Sequence, residues 1–154
     1  MNNIAVKDFV VPEMEHVERV DLVQELILKS PEALIGDSEA YLEKCPLTHR
    51  FGEGCYIREI FLPAGMVFVT KIHKKTHPYF VMRGVVSVAT DKGSELITGP
   101  FSGITQAGTR RVIYVHEDTV WTTVHVTDET DVEKIEKEVI MDEEEYKGLI
   151  GGGI

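Results

Sequence analysis

The chain has 154 residues, 43% of them apolar, and a formal net charge of -10. That length fits one domain whose core needs no disulfide or structural metal, and the charge excludes a nucleic-acid partner, whose phosphates require Lys and Arg. No apolar run reaches the roughly 20 residues of a membrane span, and MNNIAVKDFVV has no basic leader, so the sequence reads as a cytoplasmic protein without a membrane partner.

From Pro12 to Lys29, the apolar residues Met14, Val17, Leu22, Val23, Leu26 and Ile27 fall on one side of a helix that Pro12 can start. Ser30 followed by Pro31 predicts the cap and first turn of a short second helix, stopped by Gly36. Asp37 predicts a cap for a further turn through Tyr41 and Leu42. Residues 1–44 are thus expected to be a helical extension. Cys45 and Cys55, ten positions apart and without a CxxC pattern, read as two free thiols, with one disulfide as the alternative.

The periodicity changes at Cys55. Residues 56–61, 66–72, 79–82, 85–90, 95–98, 111–115 and 120–126 are β-prone runs, separated by turn formers such as Pro63-Ala64-Gly65, Asp91-Lys92-Gly93, Gly99-Pro100 and Glu117-Asp118. Such regular spacing predicts a mainly β domain, an antiparallel barrel or sandwich over 45–127. A tight turn near His116 to Thr119 would pair Val115 with Val120 and point His125 away from Arg111. A slip of one residue would bring His125 to Arg111's face, but Val120, Val124 and Val126 favour the first register. Thr130-Asp131-Val132-Glu133 reads as a capping box for an acidic helix carrying Val132, Ile135 and Val139, within a tail over 128–154 whose Gly151-Gly152-Gly153 end should fray.

The segment GMVFVTKIHKKTHPYFVMRG, Gly65 to Gly84, carries the chemistry. Residues 71 and 73 are two apart and would share one strand face, and residue 77 returns to that face after a turn. This segment resembles the first motif of the cupin superfamily, a glycine, five residues, His-x-His, a glutamate and a closing glycine. Gly65, His73 and Gly84 keep their places, His77 stands for the glutamate and Lys71 for the first histidine. In the second motif, aligned on Gln106-Ala107-Gly108, Arg111 takes the place of the fourth ligand. The resemblance implies a single jelly-roll barrel with metal-ligand positions at 71, 73, 77 and 111.

Two uses of that cavity stay open. His73 and His77, with His125 only in the slipped register, could hold one divalent transition metal such as iron, zinc, manganese, nickel or copper. Lys71, His73, His77 and Arg111 could instead bind an anion, unless Glu59, Glu95 or Glu117 neutralise Lys71, Arg110 and Arg111. His16 and His49 read as structural or exposed, and His116 as solvated. The strings CPLTHRFGEGCYIREIFLPAG, KIHKKTHPYFVMRGVVSV and YVHEDTVWTTVHVTDETDVEKIE also resemble uncharacterised cupin-like proteins of bacteriophages and prophages, from Cys45 to Glu136.

Three functions are therefore expected to compete: a binding protein for a small anionic ligand, a metal-dependent enzyme of the dioxygenase or isomerase kind, and a structural protein forming a homodimer or higher homo-oligomer. No nucleophile elbow, P-loop or dinucleotide fingerprint is present.

Overall fold

The computed structural model of the chain describes residues 15–34, 36, 38–142 and 144–146. Two helices come first, α1 (His16–Lys29) and α2 (Glu39–Lys44). Seven strands follow: β1 (Leu47–Gly52), β2 (Cys55–Leu62), β3 (Val67–Val69), β4 (His77–Thr90), β5 (Gly93–Thr98), β6 (Phe101–Thr105) and β7 (Val112–Val126), before α3 (Val132–Val139). The expected start at Pro12, the cap at Asp37 and the fraying glycines lie outside the described residues.

Several local expectations are corrected. Ser30-Pro31 forms a turn closed by Ala33 N–H donating to Ser30 O at 3.1 Å, not a helix. Ser38 caps α2 through Tyr41 N–H. For α3 the cap is Asp131, whose carboxylate accepts from the backbone of Glu133 and Lys134. Strands β1 and β6 were missed. Residues 79–82 and 85–90 are one strand, as are 112–115 and 120–126, with Arg111 just before it, so the turn near His116 to Thr119 does not form. Cys45 and Cys55 are free thiols.

All pairings are antiparallel, in the order β1-β2-β7-β4-β5, with β3 on β7 and β6 on β4. The two long strands fold this network. The register of β4 on β7 shifts between Val81 and Val86, so residues 79–81 pair with 121–123, whereas residues 86–89 pair with 112–115. Bulges bend a strand and sharpen its twist. One layer therefore holds β1, β2, β6 and the facing ends of β7 and β4; the other holds β3, β5 and the opposite ends of the same two strands. Ile60, Tyr79, Val81 and Trp121 of the first layer pack with Val86, Val88, Ile97, Ile113 and Val115 of the second in one core. The result is a jelly roll that stays open at its edges, not a closed barrel.

Gly84 sits at the bend with φ +103°, and a Cβ there would meet Thr119 Oγ1 at 2.2 Å and Asp118 O at 2.6 Å. Gly93 also has positive φ, but a Cβ there would meet nothing within 4 Å. Gly93→Ala should therefore cost only backbone strain, about 1–2 kcal/mol, while Gly84→Ala adds a backbone clash and should cost about 3 kcal/mol or more. Urea unfolding of both variants measures the difference; equal losses would mean that Gly84 is not the pivot of the bend.

Candidate functional site

Alternation along the first layer decides what faces the interior. On β2, Tyr56, Arg58, Ile60 and Leu62 share one face, and their partners on β7 are His125, Thr123, Trp121 and Thr119. Tyr79 and Val81 of β4 oppose Thr123 and Trp121, and carrying that register back two residues sets His77 opposite His125. His73 is not on a strand. It bridges to Ile140 beyond α3, with Lys74 N–H donating to Val139 O and Met141 N–H to Ile72 O, both at 2.8 Å.

These elements bring three imidazoles together. Ring centroids lie 4.2 Å apart for His73 and His77, 4.6 Å for His77 and His125, and 5.3 Å for His73 and His125. One ligand nitrogen from each lies within 4.8 Å of the others. His125 thus stands beside His73 and His77, against the orientation its expected hairpin implied. The continuous β7 removes the turn on which that register rested.

Burial, then the neighbouring His77 and His125 and the guanidiniums of Arg58 and Arg111, hold His73 down to about 3. Burial, His77 and Arg58 hold His125 down to about 4. Burial lowers His77 as well, against the opposing pull of a backbone hydrogen bond. At neutral pH all three are neutral bases, the protonation state a metal requires. The partner in that bond is Lys75 O, 3.0 Å from His77 Nδ1. A carbonyl only accepts, so Nδ1 carries the proton and Nε2 presents its lone pair. That Nε2 is buried and has no hydrogen-bond partner. His125 Nε2 meets Thr123 Oγ1 at 3.0 Å.

The donor set fits a metal. Three imidazole nitrogens at about 2.1 Å from one ion stand roughly 3–3.4 Å apart, so each would close in by under roughly 1 Å. The Nδ1–H bond of His77 is the kind of outer support that orients such a ligand.

Arg111 is buried. Its Nη2 donates to Thr105 Oγ1 at 2.7 Å, its Nε has no partner, and its guanidinium lies 5.1 Å from the Tyr79 ring centroid and 5.7 Å from that of Trp121. Lys71 lies on the wall of the same cavity, nearer its rim. The strand ends at Val69, and Lys71 turns to the rim, where Nζ is 3.9 Å from Glu136 Oε1. The expected neutralisers are also different: Arg110 pairs with Asp21 at 2.6 Å, and Glu59 lies 3.7 Å from Arg50. Among the described residues, no carboxylate lies within 4.0 Å of Arg111 or Arg58.

Sequence reasoning missed Arg58 and Tyr56. The signal was there: alternation from Tyr56 to Leu62 puts Arg58 on the core face as its one charged member. Of the histidines set aside, His16 Nε2 lies 2.8 Å from Arg110 O, His49 Nδ1 lies 2.7 Å from Tyr56 Oη, and exposed His116 meets Ser87 Oγ at 2.6 Å within β7. The described helices include none long and apolar enough to cross a membrane.

The cavity that joins these groups measures about 550 Å³. The fold around it is a cupin-like jelly roll. Ectoine synthase from P. lautus is similar over 64% of this chain and 75% of that chain, at 12% identity and a TM-score of 0.52. The DMSP lyase DddQ from Ruegeria pomeroyi DSS-3 is similar over 61% of this chain and 53% of that one, at 12% identity and a TM-score of 0.50. A cupin-2 domain containing protein from Shewanella frigidimarina NCIMB 400 is similar over 52% of this chain and 80% of that one, at 8% identity and a TM-score of 0.43. No protein-family model and no curated protein matches the chain.

The depressed imidazoles set a pH dependence for the metal-free protein. The unfolded chain takes up protons near pH 6.5, whereas folded His73 and His125 take them up only near 3 and 4. Between those values the unfolded state binds more protons, so stability falls as pH falls from about 6.5 toward 4, by at most about 1.4 kcal/mol per pH unit for each histidine. Urea unfolding of His73→Gln and His125→Gln across that range should show a shallower slope than the parent; an unchanged slope would mean that these imidazoles are not desolvated.

Proposed function

We propose that the chain is a small-molecule-binding protein that holds one divalent transition metal on His73, His77 and His125 and takes an anionic ligand beside it, against Arg111 and Arg58. The observation that carries this reading is the buried, partnerless Nε2 of His77 between two further neutral imidazoles. Leaving such a lone pair unsatisfied costs about 1–3 kcal/mol, a loss that a bound cation removes. Charge balance joins metal to anion. A dication on three neutral ligands, next to two guanidiniums without carboxylates, attracts an anion in a protein that is otherwise acidic.

A metal held there would supply Lewis acidity to an oxygen of the ligand. Arg111 would orient the anion, its plane fixed by Tyr79, Trp121 and the bond to Thr105. Three protein ligands leave coordination positions open, which favours a second reading, a metal-dependent enzyme whose reaction uses those positions. The resemblance to phage-borne cupin-like proteins supports, as part of the same proposal, a phage-encoded protein acting in the host cytoplasm.

Protein reconstituted with Zn²⁺ or Fe²⁺ and desalted should retain about one equivalent by elemental analysis. At 100 times the dissociation constant, the metal should add about 2.7 kcal/mol of stability. His77→Ala and His125→Ala should each weaken retention at least 100-fold, and less than a tenth of an equivalent on the parent would sink the metal reading. Arg111→Gln should keep the metal and lose anion binding, scored with acetate and phosphate by calorimetry; unchanged affinity would remove Arg111 from the ligand site.

A further inference from the structure

The cavity is graded along its length, and the strand register shows the gradient. Successive rows across β2 and β7 read Tyr56 with His125, Arg58 with Thr123, Ile60 with Trp121, and Leu62 with Thr119. The first two rows carry imidazole, guanidinium and hydroxyl, and the next brings Ile60 and Trp121. Six residues of strand separate the first row from the last, about 20 Å. Arg111, over Tyr79 and Trp121, marks the boundary between the two chemistries.

Beyond that boundary the cavity continues as an arm with a largely apolar wall, the α1–α2 side also contributing Gln24, Ser30, Glu32 and Lys44. It is lined by Leu62, Met66, Phe68 and Ile113 of the layers, and by Leu34 and Tyr41 from the connection after α1 and from α2. Tyr41, Met66 and Phe68 pack against the central core, so the arm is continuous with it. A volume of about 550 Å³ lies within the ordinary range for a small-molecule site. A bare metal ion with a small anion uses only the polar end.

We propose that the ligand is an anionic amphiphile, an acid group at the histidine and arginine end with an alkyl or aryl body lying in the arm beneath the α1–α2 connection. This rests on the metal-and-anion reading above and adds the chemical class of the ligand. The acid supplies the negative charge that Arg111 and Arg58 lack, and the body removes apolar wall from water.

Trp121, the chain's single tryptophan, lines the cavity at the boundary and reports binding by its fluorescence. Zn²⁺-loaded protein would be titrated with butyrate, hexanoate, octanoate, octyl phosphate and 1-octanol, with calorimetry as a second readout. Octanoate should bind at least tenfold more tightly than butyrate, against a ceiling of about fourfold per methylene from ~0.8 kcal/mol per buried CH₂. Octyl phosphate should fall within about tenfold of octanoate, and 1-octanol at least tenfold weaker. Leu34→Gln and Met66→Gln should flatten the chain-length dependence while leaving Zn²⁺ stoichiometry and butyrate affinity unchanged.

Zn²⁺ held at one equivalent with butyrate and octanoate bound equally would overturn the amphiphile and leave the metal-and-anion reading standing. Loss of both Zn²⁺ retention and carboxylate binding would overturn that reading instead. Octanol binding as tightly as octanoate would remove the acid group from the proposal. A chain-length dependence undiminished in both variants would put the body outside this arm and overturn the assignment.

Discussion

The pairing of β4 with β7 is the constraint on which the rest depends. Each strand is about twice the usual length, and each serves both layers, so one irregular stretch of ladder decides where the sheet turns back on itself. Because the shift falls between Val81 and Val86, the residues before it form the cavity end and those after it the dense apolar core. Gly84 permits the turn by letting Thr119 approach where a side chain would stand. Moving the shift by one residue would exchange the inner and outer faces of half of each strand, and would send His77 or His125 to solvent.

The site illustrates how a low-polarity surrounding selects among protonation states. Three imidazoles in water would be partly charged near neutrality and would repel one another. Buried beside two guanidiniums, they are held neutral. Among the described residues no carboxylate pairs with Arg111, whose charge is eased by two aromatic faces and the Thr105 hydroxyl. The cluster is thus arranged as an acceptor of a cation and the arginines as donors to an anion, within one cavity.

Legibility in the sequence followed the range of the interactions. The β-rich middle of the chain and the acidic helix were readable because local alternation and turn geometry encode them, and His73 with His77 were readable from the Gly65 to Gly84 motif spacing. The two long strands were not. Glu117-Asp118 has the composition of a turn, yet these residues sit within β7, where bulged pairing with β4 overrides local preference. That one misreading carried His125 with it. Lys71 lines the cavity wall, but not through strand alternation, because β3 stops at Val69. Arg58 was readable and overlooked, the charged member of an otherwise core-facing set.

His73 owes its place to the far end of the chain. The loop that carries it is tied by backbone bonds to residues 139–141, while Gly108 N–H donates to His73 O at 2.9 Å from another direction. The sheet ladders do not involve this segment, so the position of the third imidazole depends on contacts that the strands alone do not supply. A truncated product ending near residue 130 would keep the strands and the Gly108 bond but lose the backbone bonds from residues 139–141 that fix the His73 loop from its other side.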